Sequence, residues 1–325
     1  MPDPTARVPR EILPTLATTP VDGVRLDPDN HDRRAMATTL ISTDARRPRD
    51  DEIDIHGLTH VGKVRRENQD HFLMATVNKK VNVLATNLSA PQHLPAGEQR
   101  VAFIIMVADG VGGLEGGAEA SATALESVMQ YVNDSMSCLY DRNVTEKVFT
   151  AQLQDCVLRS HEAILARRAE GKQEGTMATT LTLFMGVWPA YYVVQVGDSR
   201  YYIWHDDQLT QLTRDQTVAQ ELVDQGILTR AQAPHTQFAH VLSSALGADT
   251  AEPVVTRIRA DWSHVHLLCS DGLTKHVSDE RIAERLAHMT SSKQVCEQLL
   301  ADALEDGGSD NITIIVGRNV PKETG

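Results

Sequence analysis

Four apolar runs in the sequence are edged by an aspartate beside glycine, serine or asparagine: Asp109 in VADGVGG, Asp198 in VVQVGDSR, Asp271 in LLCSDGL and Asp310 in GSDNITIIV. Upstream, GKVRRENQD adds Asp70, with Arg65 and Arg66 just before it. Taken singly, an aspartate in a D-G or D-S turn is a turn former that bonds its own backbone. Taken together, carboxylates converging on the rim of an apolar sheet repel one another, and burying them unpaired is costly, so bound cations are the simplest account. Aspartate oxygens and water, with no histidine or cysteine at coordinating spacing, suit Mg2+ or Mn2+ rather than zinc or iron. Two such ions about 3.5 to 4 Å apart lower the pKa of a shared water and hold a phosphoryl group for in-line attack. Phosphoester hydrolysis is therefore the leading chemistry. An arginine fork matches phosphate oxygens bidentately, which the Arg65-Arg66 pair can supply, although Arg66 can equally pair with Glu67 or face solvent.

The glycine-rich stretch VADGVGGLEGG does not read as a nucleotide cradle. The spacing from Gly112 to Gly117 continues into Ala118-Glu119, with no lysine to meet a phosphate, and the dinucleotide pattern from Gly110 and Gly112 finds Glu115 where a glycine is needed. The turn presents a carboxylate instead of a cation.

These residues need a scaffold, and the 325-residue chain, 41% hydrophobic, is long enough to bury a sizeable core. Strand-type runs recur as IDIHGLTHVG, HFLMAT, VAFIIMVAD, TTLTLFMGVW, YYVVQVGDSRYYIW, SHVHLLCSDG and NITIIVGR. Helical patterns cover about 116–135, 143–170, 215–226, 279–289 and 292–306. The two long helices are consecutive between groups of strands, which points to a mixed α+β fold with mainly antiparallel sheets rather than a doubly wound one. Residues 78–100 read as a long surface loop or an extended hairpin. The aromatic group WPAYYVV alternates at strand spacing and reads as core and sheet surface. Seven of the thirteen prolines fall in the first fifty residues, so residues 1–52 read as a disordered tail whose paired arginines, Arg33-Arg34 and Arg46-Arg47, are solvated among aspartates. The remaining boundaries are a domain over 53–318 and a short tail over 319–325.

The formal net charge of −13 argues against general binding to nucleic acid or to an anionic membrane. The start of the chain has no apolar stretch fit for a signal peptide, and the longest apolar run, residues 101–108, falls far short of the ~20 residues a membrane span needs, so a cytoplasmic location is expected. The four cysteines, Cys138, Cys156, Cys269 and Cys296, form no CxxC pair and read as buried reduced thiols.

Over residues 53–318 the motifs, in order, resemble those of the metal-dependent protein phosphatases of the PPM, or PP2C, family in its bacterial form. They are GKVRRENQD, VADGVGG, GTMATTLT, VGDSRYYIW, LTRDQT, VLSSALG, CSDGL and SDNITIIV. The resemblance implies two antiparallel sheets packed face to face between helices, an α-β-β-α sandwich with a dinuclear metal centre at one end. It implies that Asp109 bridges both ions, that the carbonyl of Gly110 serves one, and that Asp271 and Asp310 serve the other. Asp70 is implied to contact the centre directly or through water, Asp198 to hold a weaker third ion, and Arg65 to bind the phosphate. The resemblance thus implies Asp109, Asp70 and Arg65 as the catalytic set.

Gly110, Gly112 and Gly113 then give the backbone room beside a metal and a phosphate, and Thr179 and Thr180 are strand positions flanking the site. Three positions depart from the common pattern. Gln216 stands where many members carry histidine, on the flap side, so substrate handling can differ. Val111 replaces a histidine that eukaryotic members use as a proton donor, which leaves the general acid unassigned. His60 replaces an aspartate and reads as packed or surface-paired; His235 and His240 fall in the flap region and read as solvent-facing. The expected activity is hydrolysis of phosphoserine or phosphothreonine in proteins by a water activated on Mn2+ or Mg2+, without a phosphoenzyme, the partners being phosphorylated proteins and a Ser/Thr kinase or its substrates. The alternatives are a pseudophosphatase that only binds phosphoproteins, and a small-molecule phosphohydrolase.

Overall fold

The computed structural model describes residues 46–83, 85–90, 97–111, 115–136, 139, 144–170 and 177–322. They fall in one compact unit, Ala45–Gly325. One sheet runs β1 (Ile53–His60), β11 (Ile312–Asn319), β10 (Val265–Cys269), β7 (Arg200–His205) and β8 (Gln208–Gln211). The other runs β2 (Asp70–Val81), β3 (Gly97–Val111), β5 (Leu181–Val187), β6 (Ala190–Val196) and β9 (Val254–Arg259), with the two-residue β4 (Ala178–Thr179) paired to the end of β3. Every pairing is antiparallel. The helices are α1 (Glu115–Asp134), α2 (Glu146–Glu170), α3 (Val218–Asp224), α4 (Asp271–Thr274), α5 (Asp279–Ala287) and α6 (Ser292–Glu305).

The continuous apolar run in β3 follows from its being covered on both faces. Ile104, Met106 and Ala108 meet Ala124, Val128, Leu153 and Ile164 of α1 and α2. The alternate residues Ile105 and Val107 meet Phe184 and Val193 of their own sheet and Tyr201, Leu268 and Ile315 of the facing one. The other face of the first sheet packs Leu267, Cys269, Ile314 and Val316 against Leu273, Ile282, Val295 and Leu299 of α4 to α6. The layers are therefore helix, sheet, sheet, helix, as expected, and each fully buried Leu or Ile contributes roughly 1.5–3 kcal/mol. Helices α3, α5 and α6 start on Thr217, Ser278 and Ser291, whose hydroxyls accept the N–H three residues on. No helix of the described residues is long and apolar enough to cross a membrane.

Three local features differ from or sharpen the sequence expectations. Residues 46–52 fall on the tail side of the boundary drawn from sequence but pack onto the domain. Arg46 donates to both oxygens of the buried Glu52, at 2.7 and 2.8 Å, and stacks over Trp262. Ion pairing and ring stacking hold a segment that has no hydrophobic period to announce it. Residues 1–45 lie outside the described ones. The 78–100 insert takes the extended-hairpin form, since β2 and β3 stay paired out to Val81 and Gly97. Finally, YYVVQVGDSRYYIW is two strands, with the chain crossing from one sheet to the other between β6 and β7.

Candidate metal centre

The antiparallel order brings the ends of β3, β6 and β10 and the starts of β2 and β11 to one end of the sandwich. Asp70 opens β2 directly opposite Asp109 on β3. Asp198 lies in the crossing between the sheets, Asp271 opens α4 just after β10, and Asp310 precedes β11. Five aspartates far apart in sequence therefore face one another.

Each is held by a different device. The backbone of Asp109 is pinned by two threonines: its N–H donates to Thr180 Oγ1 at 3.0 Å, and its carbonyl accepts from Thr180 N at 2.9 Å and Thr179 Oγ1 at 2.8 Å. The buried Asp70 accepts at Oδ2 from Ser270 Oγ and Thr313 Oγ1, both at 2.7 Å. The Asp198 turn depends on Gly197 at φ 102°, whose N–H donates to Gln216 Oε1 at 2.7 Å. Gln216 also donates to the Glu252 carbonyl at 2.8 Å, so this buried amide shapes the turn that carries Asp198. Asn311 anchors the Arg65 loop, accepting from Gln69 N at 2.8 Å and donating to the Val61 and Glu67 carbonyls, both at 2.9 Å.

Two glycines are required by close approach. A Cβ on Gly110 would lie 2.4 Å from the Gly117 carbonyl oxygen, and one on Gly272 would lie 1.8 Å from that of Asn311. Gly112 and Gly113 lie outside the described residues.

Two cations offset the carboxylates. Lys275 Nζ lies 2.6 Å from Asp271 and 2.7 Å from Asp310. Arg65 grips Asp310 with its fork, Nε to Oδ1 at 2.7 Å and Nη2 to Oδ2 at 2.9 Å, and remains 52% exposed. Arg66 is exposed. Burial works to raise the Asp310 pKa, but Lys275 and Arg65 hold it below the usual carboxylate value. The others go up: burial, opposed by the Ser270 and Thr313 hydroxyls and assisted by Asp271 and Asp310, brings Asp70 to about 6. Burial followed by the field of Asp70, Asp271, Asp198 and Asp310 raises Asp109 well above the normal range, and burial with Asp271 does the same for Asp198.

Five carboxylates against two cations leave uncompensated negative charge. Two carboxylate oxygens, Oδ1 of Asp70 and Oδ1 of Asp271, are buried without a hydrogen-bond partner. An all-oxygen donor set with orphaned anionic oxygens fits hard divalent ions. His240 Nδ1 lies 3.9 Å from Asp271, and ligand atoms of Asp198, His240 and Asp271 lie within 4.8 Å of one another, so this flap histidine is closer to the centre than a solvent-facing reading implied. His60 accepts from the Gly62 N–H at 2.9 Å and is paired locally, as expected. His235 is exposed in a short 3-10 turn, Ala233–His235.

Sequence reasoning missed Lys275, Ser270, Thr313 and Asn311. Lys275 had a signal, since it follows Asp271 by four residues on one helical face. The others act on partners two hundred or more residues away, and no local pattern reveals such pairs.

The acidic residues gather at one end of a helix-flanked double sheet, and comparison with known proteins identifies the family that builds this arrangement. The family model of protein phosphatase 2C matches residues 93–306, and the chain belongs to that family. It is 33% identical over 225 residues to the serine/threonine protein phosphatase PstP of Mycobacterium tuberculosis, a match spanning 69% of this chain and 42% of that protein's length. It is 29% identical over 219 residues to the serine/threonine phosphatase stp of Listeria innocua, covering 67% of this chain and 85% of the relative. The fold superposes on the catalytic domain of PstP solved in complex with two manganese ions, at a TM-score of 0.63 and 28% identity, covering 83% of this chain and 99% of that one.

Proposed function

We propose that this chain is a protein phosphatase that hydrolyses phosphoserine and phosphothreonine esters on proteins phosphorylated by a Ser/Thr kinase. The activity is assigned to residues 53–318 together with the packed segment 46–52. The observation that carries the reading is the meeting of five aspartates, two with orphaned buried oxygens, beside an arginine fork at the rim of the sandwich. Asp109 would bridge two ions, the Gly110 carbonyl would serve one, and Asp271 and Asp310 the other. Asp70 would act at the centre directly or through water, and Asp198 would hold a weaker third ion. Two Mn2+ or Mg2+ ions bound there supply charge neutralisation at the phosphoryl group and a lowered pKa for the attacking water.

The chain's own groups do the rest. Arg65, half exposed, can turn its fork from Asp310 to the nonbridging phosphate oxygens. Ser270 and Thr313 fix Asp70 by occupying Oδ2, so that Oδ1 is the oxygen presented to the centre. Direct attack by water, without a phosphoenzyme, is supported by the thiols among the described residues: burial pushes Cys156, Cys269 and Cys296 up to about 12, far from a thiolate nucleophile.

The test pairs Mn2+ calorimetry with hydrolysis of p-nitrophenyl phosphate and a phosphothreonine peptide. We expect both substrates to turn over, with Asp109→Asn losing metal binding and about a hundred- to a thousandfold in kcat, the scale on which removing a principal electrostatic group acts. Metal bound with neither substrate hydrolysed would sink the catalytic reading and favour a phosphoprotein-binding module.

A further inference from the structure

At the end of the sandwich away from the aspartates, the two sheets part around a small cavity that opens to solvent. Its walls are apolar and aromatic, with Ile105, Phe103, Phe184, Trp188 and Tyr191 among them, while Arg47, Arg100 and Arg318 also line it. We infer that this cavity is a binding site for an amphipathic organic anion, a carboxylate carried on an aromatic or aliphatic body.

The arginines are not equivalent. Arg100 is committed to Asp50 at 2.5 Å and to the Pro48 carbonyl at 2.7 Å. Arg318 is committed to Asp54 at 3.1 Å and the Thr290 carbonyl at 2.6 Å. Arg47 has no ion pair among the described residues, and burial together with Arg100 presses its pKa down. Asp50, bound to Arg100, offsets only part of this. A half-buried guanidinium with no ion pair among the described residues, set beside a second guanidinium, is a place that can take up a further anion.

The inner wall supplies a second, independent sign. His266 lines the cavity, and its Nδ1 shares a hydrogen bond with Tyr201 Oη at 2.7 Å. Its Nε2 is buried with no partner. A phenol is the better donor of the two, so Nδ1 accepts and Nε2 carries a proton with nothing to receive it. An apolar cavity lined by a ring whose buried Nε2 has no partner and by a cation with no ion pair among the described residues matches a ligand with an apolar body and an anionic head. The whole chain carries a formal charge of −13, so anions are repelled in general and a local cationic mouth selects them by position.

The probe is 4-phenylbutyrate, titrated into the full chain by calorimetry and by the NMR signals of the tryptophan indoles, in EDTA and again with Mg2+. Expected are saturable binding of similar strength in both conditions, a shift of the Trp188 indole signal but not that of Trp204, and affinity about tenfold weaker for Arg47→Gln and for the uncharged analogue 4-phenylbutanol. Arg47 makes no ion pair with the described residues, so the variant should fold, which its unchanged NMR spectrum would verify. The inference is overturned by absence of saturable binding up to millimolar probe, by equal affinity of Arg47→Gln, or by binding that needs Mg2+. The last outcome would place the anion at the aspartate centre.

Discussion

Lys275 sits one helical turn beyond Asp271 and bridges Asp271 and Asp310 with its ammonium, 2.6 and 2.7 Å away. Burial opposes that charge, but Asp271 and Asp310 more than restore it and raise the lysine pKa. Without metal this cation offsets part of the repulsion among the aspartates; with metal it faces an ion of the same sign in the same place. Lys275→Gln should therefore tighten Mn2+ binding about tenfold, corresponding to about 1.4 kcal/mol, in a calorimetric titration. Weaker binding would show instead that the lysine keeps Asp271 and Asp310 in position for the ion. The five aspartates and Arg65 were readable from sequence because each interrupts an apolar run or precedes one. Ser270, Thr313 and Asn311 were not, because a hydroxyl or amide near a strand end looks the same whether it faces solvent or a carboxylate two hundred residues away.

Among the elements, the crossing from β6 to β7 decides where Asp198 stands. Gly197 and Gln216 hold it: the Gln216 amide is buried, accepts from Gly197 N and donates to the Glu252 carbonyl. Gln216→Leu strips partners from both backbone groups, each of which costs about 1–3 kcal/mol when left buried and unpaired. Urea denaturation should register a loss of roughly 2 kcal/mol or more, and a change below 0.5 kcal/mol, within the usual range for a surface substitution, would mean that water replaces the amide. Strand and helix runs were legible here because both periods are strong. The crossing was not, because an apolar strand reads alike in either sheet and only pairing assigns β6 to one and β7 to the other.

At the scale of the molecule, His266 belongs to the layer between the sheets, beside Tyr201, Tyr191, Phe184 and His264. Burial and then the charge of His264 lower its pKa from 6.5 to about 3. The unfolded chain binds a proton at this position below about 6.5, whereas the folded chain does so only near 3. The contribution to stability is therefore complete above pH 6.5 and is lost as pH falls toward 3, on the order of 4–5 kcal/mol in all at about 1.4 kcal/mol per unit. The raised pKa of Asp70 works in the opposite direction in metal-free protein, so the informative quantity is a difference. Urea denaturation of wild type and His266→Phe at pH 7 and pH 4.5 should show the variant losing less stability on acidification. Equal losses would mean that the ring reaches water before the chain unfolds.

The sequence by itself determined the α+β class, most of the strands and helices, and the residue types of an oxygen-donor centre, because hydrophobic period and turn chemistry are local and each aspartate marks its own strand edge. Only the tertiary structure decided that those edges share one end of a double sheet and which carboxylate oxygens remain orphaned. It also decided that Lys275 and Arg65 stand between the acids, that residues 46–52 belong to the domain, and that an unpaired arginine guards an aromatic cavity at the far end. Those outcomes depend on strand order and on which side chains meet across hundreds of residues, and no spacing along the chain encodes a distance through space.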